Sequence, residues 1–213
     1  MKRSLFLLAL GGASCTRLFY KASATIGREK RDILTSRVKD ARKDQEEAKE
    51  QFQTTLEAFQ AVTGFQGGKL EDVYSKLSKE FDRCEDRAKD VSDRIESIEK
   101  VAKDMFREWS KEIDEIGDRS LRTQSRTLLR DTQTRYDALA GKLKESERRM
   151  TPVLRAFRDQ VLFLKHNLNA RAIQSLKDTS VKIDADVTAL IRDMDASIRE
   201  ADAFVATLAK QES

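Results

Sequence analysis

Few residues in this chain could do chemistry by their type and spacing. There is one histidine, His166, and there are two cysteines, Cys15 and Cys84. A general base needs a partner and a pocket. His166 instead sits in the string His166-Asn167-Leu168-Asn169, which suits a helix reversal. No HExxH, GxSxG, Walker or GxGxxG pattern accompanies it. The cysteines have neither CxxC nor zinc-type spacing, and Cys84 falls on an apolar stripe, where a small buried thiol is expected rather than a nucleophile. Di-metal sites in bundles need Glu and Glu-x-x-His facing the core, whereas the acids here are expected outside the stripes. The expectation is therefore no catalytic residue, no metal and no cofactor. Arg119, Arg122, Arg126 and Arg130 recur at helical spacing. They could form an anion or lipid-headgroup site. The preferred reading is ion pairing across a hairpin, with Glu115 facing Arg122 and Glu112 facing Arg126 or Ser125.

Cys15 carries the one chemical signal of a specific kind. Lys2 and Arg3 precede the apolar run Leu5-Phe6-Leu7-Leu8-Ala9-Leu10, and Gly11-Gly12-Ala13-Ser14 leads into Cys15. A basic start, a short apolar run and small residues are the parts of a secretory signal. The run is far below the ~20 residues that span a bilayer. Small residues directly before a cysteine resemble the lipobox of bacterial lipoproteins, which implies diacylation of Cys15 as the new first residue. The lipobox usually has Leu three positions before the cysteine, and here Gly12 stands there. Plain secretion and an uncleaved cytosolic chain are the competing readings. By the same resemblance, Thr16 rather than Asp after the cysteine favours the outer membrane of a two-membrane cell.

The elements that must position these residues are helices. The chain has 213 residues, 37% of them charged and 39% hydrophobic, with 8 Gly and a single Pro. Such composition belongs to long helices and coiled coils. The net charge of +4 is small, and both signs are interspersed, so nucleic-acid binding is not expected. Over residues 70–109 an apolar stripe runs Leu70, Tyr74, Leu77, Phe81, Cys84, Ala88, Val91, Ile95, Ile98, Ala102, Met105 and Trp109. Its spacing, near 3.5 residues, marks a helix packed along its length on other helices. Trp109 reads as core within it.

A second stripe precedes it, from Leu34 through Val38, Ala41, Gln45, Ala48, Phe52, Thr55 and Phe59 to Val62, and Gly64-Phe65-Gln66-Gly67-Gly68 ends it. Folded as an antiparallel hairpin, the two stripes stay in register: Val62 meets Leu70, Ala48 meets Cys84 and Leu34 meets Ile98. The next helix, capped at Asp118-Arg119-Ser120, pairs Ile116 with Leu121, Trp109 with Leu128, Cys84 with Val153 and Tyr74 with Leu164. That register runs on through Pro152, favouring a kink there within one helix over a break. Asn167 suits a left-handed helix end and Asn169 a cap for the last helix, over residues 170–208. There Leu164 pairs with Ala172, Val153 with Ile183 and Leu128 with Leu208. The fold expected is all-α, an elongated antiparallel four-helix bundle or coiled-coil rod, up-down-up-down with short turns. Residues 1–15 form the signal, 16–30 a juxtamembrane segment with a basic and aromatic collar, and 31–209 one helical bundle domain.

In this arrangement Cys15 and the Gly117 turn fall at one end. Phe65, Gln66, His166, Asn167 and Asn169 converge at the other. An exposed Phe65 among glycines, beside one His and two Asn, makes that tip a candidate partner-contact surface. Glycines serving only to make the turn are the plainer alternative.

At Lys30-Arg31-Asp32-Ile33-Leu34, Gln45-Glu46-Glu47-Ala48-Lys49-Glu50-Gln51-Phe52, and above all Asp159-Gln160-Val161-Leu162-Phe163-Leu164-Lys165-His166-Asn167-Leu168-Asn169-Ala170, the chain resembles a bacterial family filed as domain of unknown function 2959. The resemblance covers most of residues 18–205. It implies a bacterial envelope protein, often a predicted lipoprotein, and brings no functional residues with it. The function expected is that of a lipid-anchored periplasmic scaffold or adaptor, without enzymatic activity. It would be held at the membrane by its anchor, bind an envelope protein through its tip, and have homo-oligomers open to it. The alternative is a bundle that inserts into membranes or remodels them.

Overall fold

In a computed structural model, which describes residues 14–210 and the side chains of residues 29–209, the chain forms four helices. They are α1 (Ser14–Thr63), α2 (Leu70–Glu115), α3 (Arg119–His166) and α4 (Ala170–Lys210). The expected signal lies mostly outside the described residues, as does the Cys15 side chain. Residues 16–30, read as a separate juxtamembrane segment, are helical and continuous with α1. The side chains of the collar at Arg17 to Lys21 lie outside the described residues.

Each helix packs on its two neighbours in a ring, α1 on α2 and α4, and α3 on α2 and α4. With short turns between them, this is the up-down-up-down bundle. At 1.5 Å per residue, α2 alone makes a rod ~70 Å long.

The seams are apolar where the stripes predict. Leu34, Val38, Phe52, Phe59 and Val62 of α1 are fully buried, as are Leu77, Cys84 and Ala102 of α2. Across the α1–α2 seam, Arg87 pairs with Glu47 at 2.8 Å and Arg94 with Asp44 at 2.8 Å, flanking the core in the expected antiparallel register. The ring closes between α1 and α4 through Lys49–Asp195 at 3.1 Å, Arg42–Asp202 at 2.7 Å and a Gln60–Asp184 hydrogen bond at 3.0 Å. Those three contacts keep one register over about five turns of helix on each side.

α3 passes through Pro152 without interruption. Proline lacks the N–H that the Arg148 carbonyl would accept. Arg148 and Pro152 are both exposed, so water can serve that carbonyl.

The first turns of α3 depart from expectation. Leu121 is 57% exposed and Leu128 46% exposed, so neither belongs to the seam; Leu129 and Thr132 are buried there instead. Trp109 is half-buried and donates its indole N–H to Ser125 Oγ at 3.2 Å, rather than packing on Leu128. Arg135 reaches Thr207 at 3.3 Å, which sets the α3–α4 register more than one turn away from a Leu128–Leu208 pairing. With α4 described only to Lys210, the start of α3 has no described helix on that flank.

The acids are not all outside the seams either. Glu80 is buried, its Oε2 accepting from Gln51 Nε2 at 2.9 Å and its Oε1 from Arg83 at 2.9 Å. The Thr55 hydroxyl donates to its main-chain carbonyl at 3.0 Å. This polar layer sits beside Cys84, whose thiol burial pushes up to about 12.

Candidate functional site

The tip is built by two turns. Residues 64–69 link α1 to α2, with the Gly64 N–H donating to the Gln60 carbonyl at 2.9 Å, which finishes α1. Gly68 has a φ of +106°, a backbone conformation that favours glycine. The Gly67-Gly68 pair thus belongs to the turn itself. Phe65 is not exposed as expected. It is half-buried against the core, because the turn folds it back over the end of the bundle.

The second turn, residues 167–169, is held by side chains. Asn167 Nδ2 donates to the Phe163 carbonyl at 3.0 Å, and the Asn167 main-chain N–H donates to Leu164 at 3.2 Å. Its φ of −133° is not left-handed, so α3 ends by this side-chain contact and not by a left-handed residue. Asn169 Oδ1 accepts from the Ala172 N–H at 3.1 Å and caps α4 as expected. Leu168 packs back on the core. His166 is the last residue of α3 and is exposed.

Between these turns the structure opens a groove of about 360 Å³. Phe65, Leu70 and Ile173 supply its apolar lining, and Gln66, Gln174 and Lys177 its polar lining. Phe65 and Gln66 are therefore brought against the first turns of α4. His166, Asn167 and Asn169 lie at the same end of the rod but outside the groove. Ile173, Gln174 and Lys177 were missed from the sequence. Their i, i+1, i+4 spacing on a capped helix start was the available signal.

At the opposite end the arginine row does not form the expected pairs. Arg122 donates through Nε to the Ile116 carbonyl at 2.8 Å and so caps the end of α2. Arg126 pairs with Asp114 at 2.9 Å instead of Glu112. Arg130 reaches Thr127 at 3.4 Å, and Arg119 has no carboxylate partner among the described residues. Glu112 stays half-buried, and burial, with Glu108 and Glu115 nearby, raises its carboxyl above the ordinary range. Next to it, Arg31 stacks over the Trp109 ring at 4.9 Å.

Residues 19–208 match the family described as proteins of unknown function, DUF2959. The chain belongs to this family. No curated protein and no solved structure matches it. The DUF2959 match takes in α2, α3, most of α1 and α4, and both turns of the tip, so groove and arginine row alike are parts of the family's domain, while Cys15 lies before it. Among the described residues, no helix is long and apolar enough to cross a membrane, and no group of His, Cys, Asp and Glu is placed to hold a metal ion.

Proposed function

We propose that this DUF2959 protein is a lipid-anchored helical scaffold or adaptor of the bacterial cell envelope, tethered through Cys15 and meeting an envelope partner with its tip. The observation that carries the reading is topological. Cys15 lies in the second position of α1, and the groove lined by Phe65 and Gln66 lies beyond that helix's far end. A helix of 50 residues separates tether from tip by ~70 Å at 1.5 Å per residue. An acyl group at Cys15 would hold one end of a rod and present the other at a distance. The small residues before Cys15 support acylation, and Thr16 supports an outer-membrane periplasmic site.

Replacing Cys15 with Ala tests this. Metabolically supplied palmitate should label the parent chain and not the variant, and the variant should leave the membrane fraction. Equal membrane retention of both chains, with no palmitate in either, overturns the anchor.

A further inference from the structure

One core residue from each helix meets near the middle of the rod. They are Ala48 of α1, Ala88 of α2, Ser146 of α3 and Ser197 of α4, all buried. Contacts about a turn away or less set them level. Glu47 pairs with Arg87 at 2.8 Å, Lys49 with Asp195 at 3.1 Å, and Arg149 with Asp193. The next core residues on one side are Phe52, Cys84, Met150 and Met194. On the other side they are Gln45, Val91, Leu143 and Ala201. The layer between is built of Ala and Ser alone. Gln45 reaches into it with its amide, donating through Nε2 to Ser146 Oγ at 2.9 Å.

The polar groups of this layer are short of a donor. Gln45 is 1% exposed, and its Oε1 has no partner among the described residues. Both serine hydroxyl protons are spent on their own helices. Ser146 donates to the Leu143 carbonyl at 2.9 Å, and Ser197 to the Met194 carbonyl at 2.8 Å. Neither hydroxyl is therefore left to serve Gln45 Oε1, while Ser197 Oγ keeps its capacity to accept. A buried acceptor in this position is costly, and an internal water is the usual way to meet it. We propose that the layer holds one ordered water, donating one proton to Gln45 Oε1 of α1 and the other to Ser197 Oγ of α4.

The chemistry selects water over an ion. The oxygens of the layer are neutral amide and hydroxyl groups. No carboxylate belongs to it or to the core residues on either side, so nothing there balances a desolvated cation. Water carries two donors on one small atom, which suits two acceptors on neighbouring helices. The bridge lies inside the α1–α4 seam, which no turn closes, and gives it a tie within the core behind Lys49–Asp195. It is independent of the anchor at Cys15.

Magnetic relaxation dispersion of water oxygen counts the molecules held inside a protein and times their release. The full chain is compared with Gln45→Leu, Ser197→Ala and Ser175→Ala. Ser175 makes the same local bond on the same helix, to the Ala172 carbonyl at 2.7 Å, but away from the layer. Gln45→Leu should lower the count by one. Ser197→Ala should do the same or shorten the residence about tenfold, the worth of one hydrogen bond. Ser175→Ala should change neither. Equal counts in the parent and Gln45→Leu overturn the proposal, as does a residence in Ser197→Ala that matches Ser175→Ala. A high-resolution crystal structure of the parent decides without any variant. Water density within hydrogen-bonding distance of both atoms supports the bridge. A reversed amide, with Ser146 donating to Gln45 Oε1 and Nε2 turned to Ser197, refutes it.

Discussion

Phe59 of α1 and Phe157 of α3 meet edge to face at the centre of the bundle, their ring centroids 6.2 Å apart and their planes at 79°. Both are fully buried, and they belong to helices on opposite corners of the ring. One aromatic contact thus couples the two hairpins directly. Truncating Phe157 to Ala removes this ring and leaves a cavity that long helices cannot easily close, at a cost of ~3–5 kcal/mol. Urea unfolding should show a single transition at lower midpoint; an unchanged midpoint would mean the two hairpins do not share a core.

A second diagonal link is polar. Gln45 Nε2 donates to Ser146 Oγ at 2.9 Å inside the core, and Gln45 Oε1 has no partner among the described residues. Ser146→Ala should cost ~1–3 kcal/mol, since it orphans the amide further. Adding Gln45→Leu to that variant should recover most of the loss. A double variant no more stable than Ser146→Ala, by denaturant titration, would show that the layer is not limited by its unmet hydrogen bond.

Glu80 gives the acid limb of the stability curve. The hydrogen bond from Gln51, with Arg83 beside it, lowers its carboxyl below the ordinary range. A carboxyl with a lowered native pKa binds fewer protons folded than unfolded, so its stabilisation is present above the unfolded value, about 4.3. It is lost as pH falls through the native value. Glu80→Gln should flatten the fall in melting temperature below about pH 4 relative to the parent. Parallel curves for the two chains would remove Glu80 from the acid response.

Pro152 is exposed within an unbroken helix. Alanine there restores one main-chain hydrogen bond and removes the ring's clash, so Pro152→Ala should stabilise the chain by ~1–3 kcal/mol. Thermal melts read this directly, and a destabilised variant would show that the bundle depends on the bend a proline imposes.

Asn169 accepts the Ala172 N–H at the start of α4. Asn169→Ala should cost ~1 kcal/mol and speed amide exchange over the first turn of that helix before any other. Exchange that rises evenly along α4 would place the end of the helix elsewhere.

Helix order, the turns at Gly64–Gly68 and Asn167–Asn169, and the passage through Pro152 were legible because apolar spacing and turn chemistry are local properties. The start of α3 was not. Leu121 and Leu128 fit an apolar repeat, but burial also needs a helix opposite, and Arg135 already meets Thr207 near the described end of α4. Glu80 was likewise hidden, since an acid looks external until Gln51 and Thr55 are placed beside it. At the tip, the sequence brought the right turns together. It could not show that Phe65 folds inward onto α4, nor that Asn167 and Asn169 spend their amides on helix ends.

Three of the four seams join helices that a turn of a few residues holds side by side. The fourth, between α1 and α4, has no such stitch, and Lys49–Asp195, Arg42–Asp202 and Gln60–Asp184 must find one another across more than half of the chain. Of the four seams it is the one whose closure costs the most loop entropy. Two molecules at high concentration could exchange α1 across it, each supplying the strip the other lacks, with no new surface required of either.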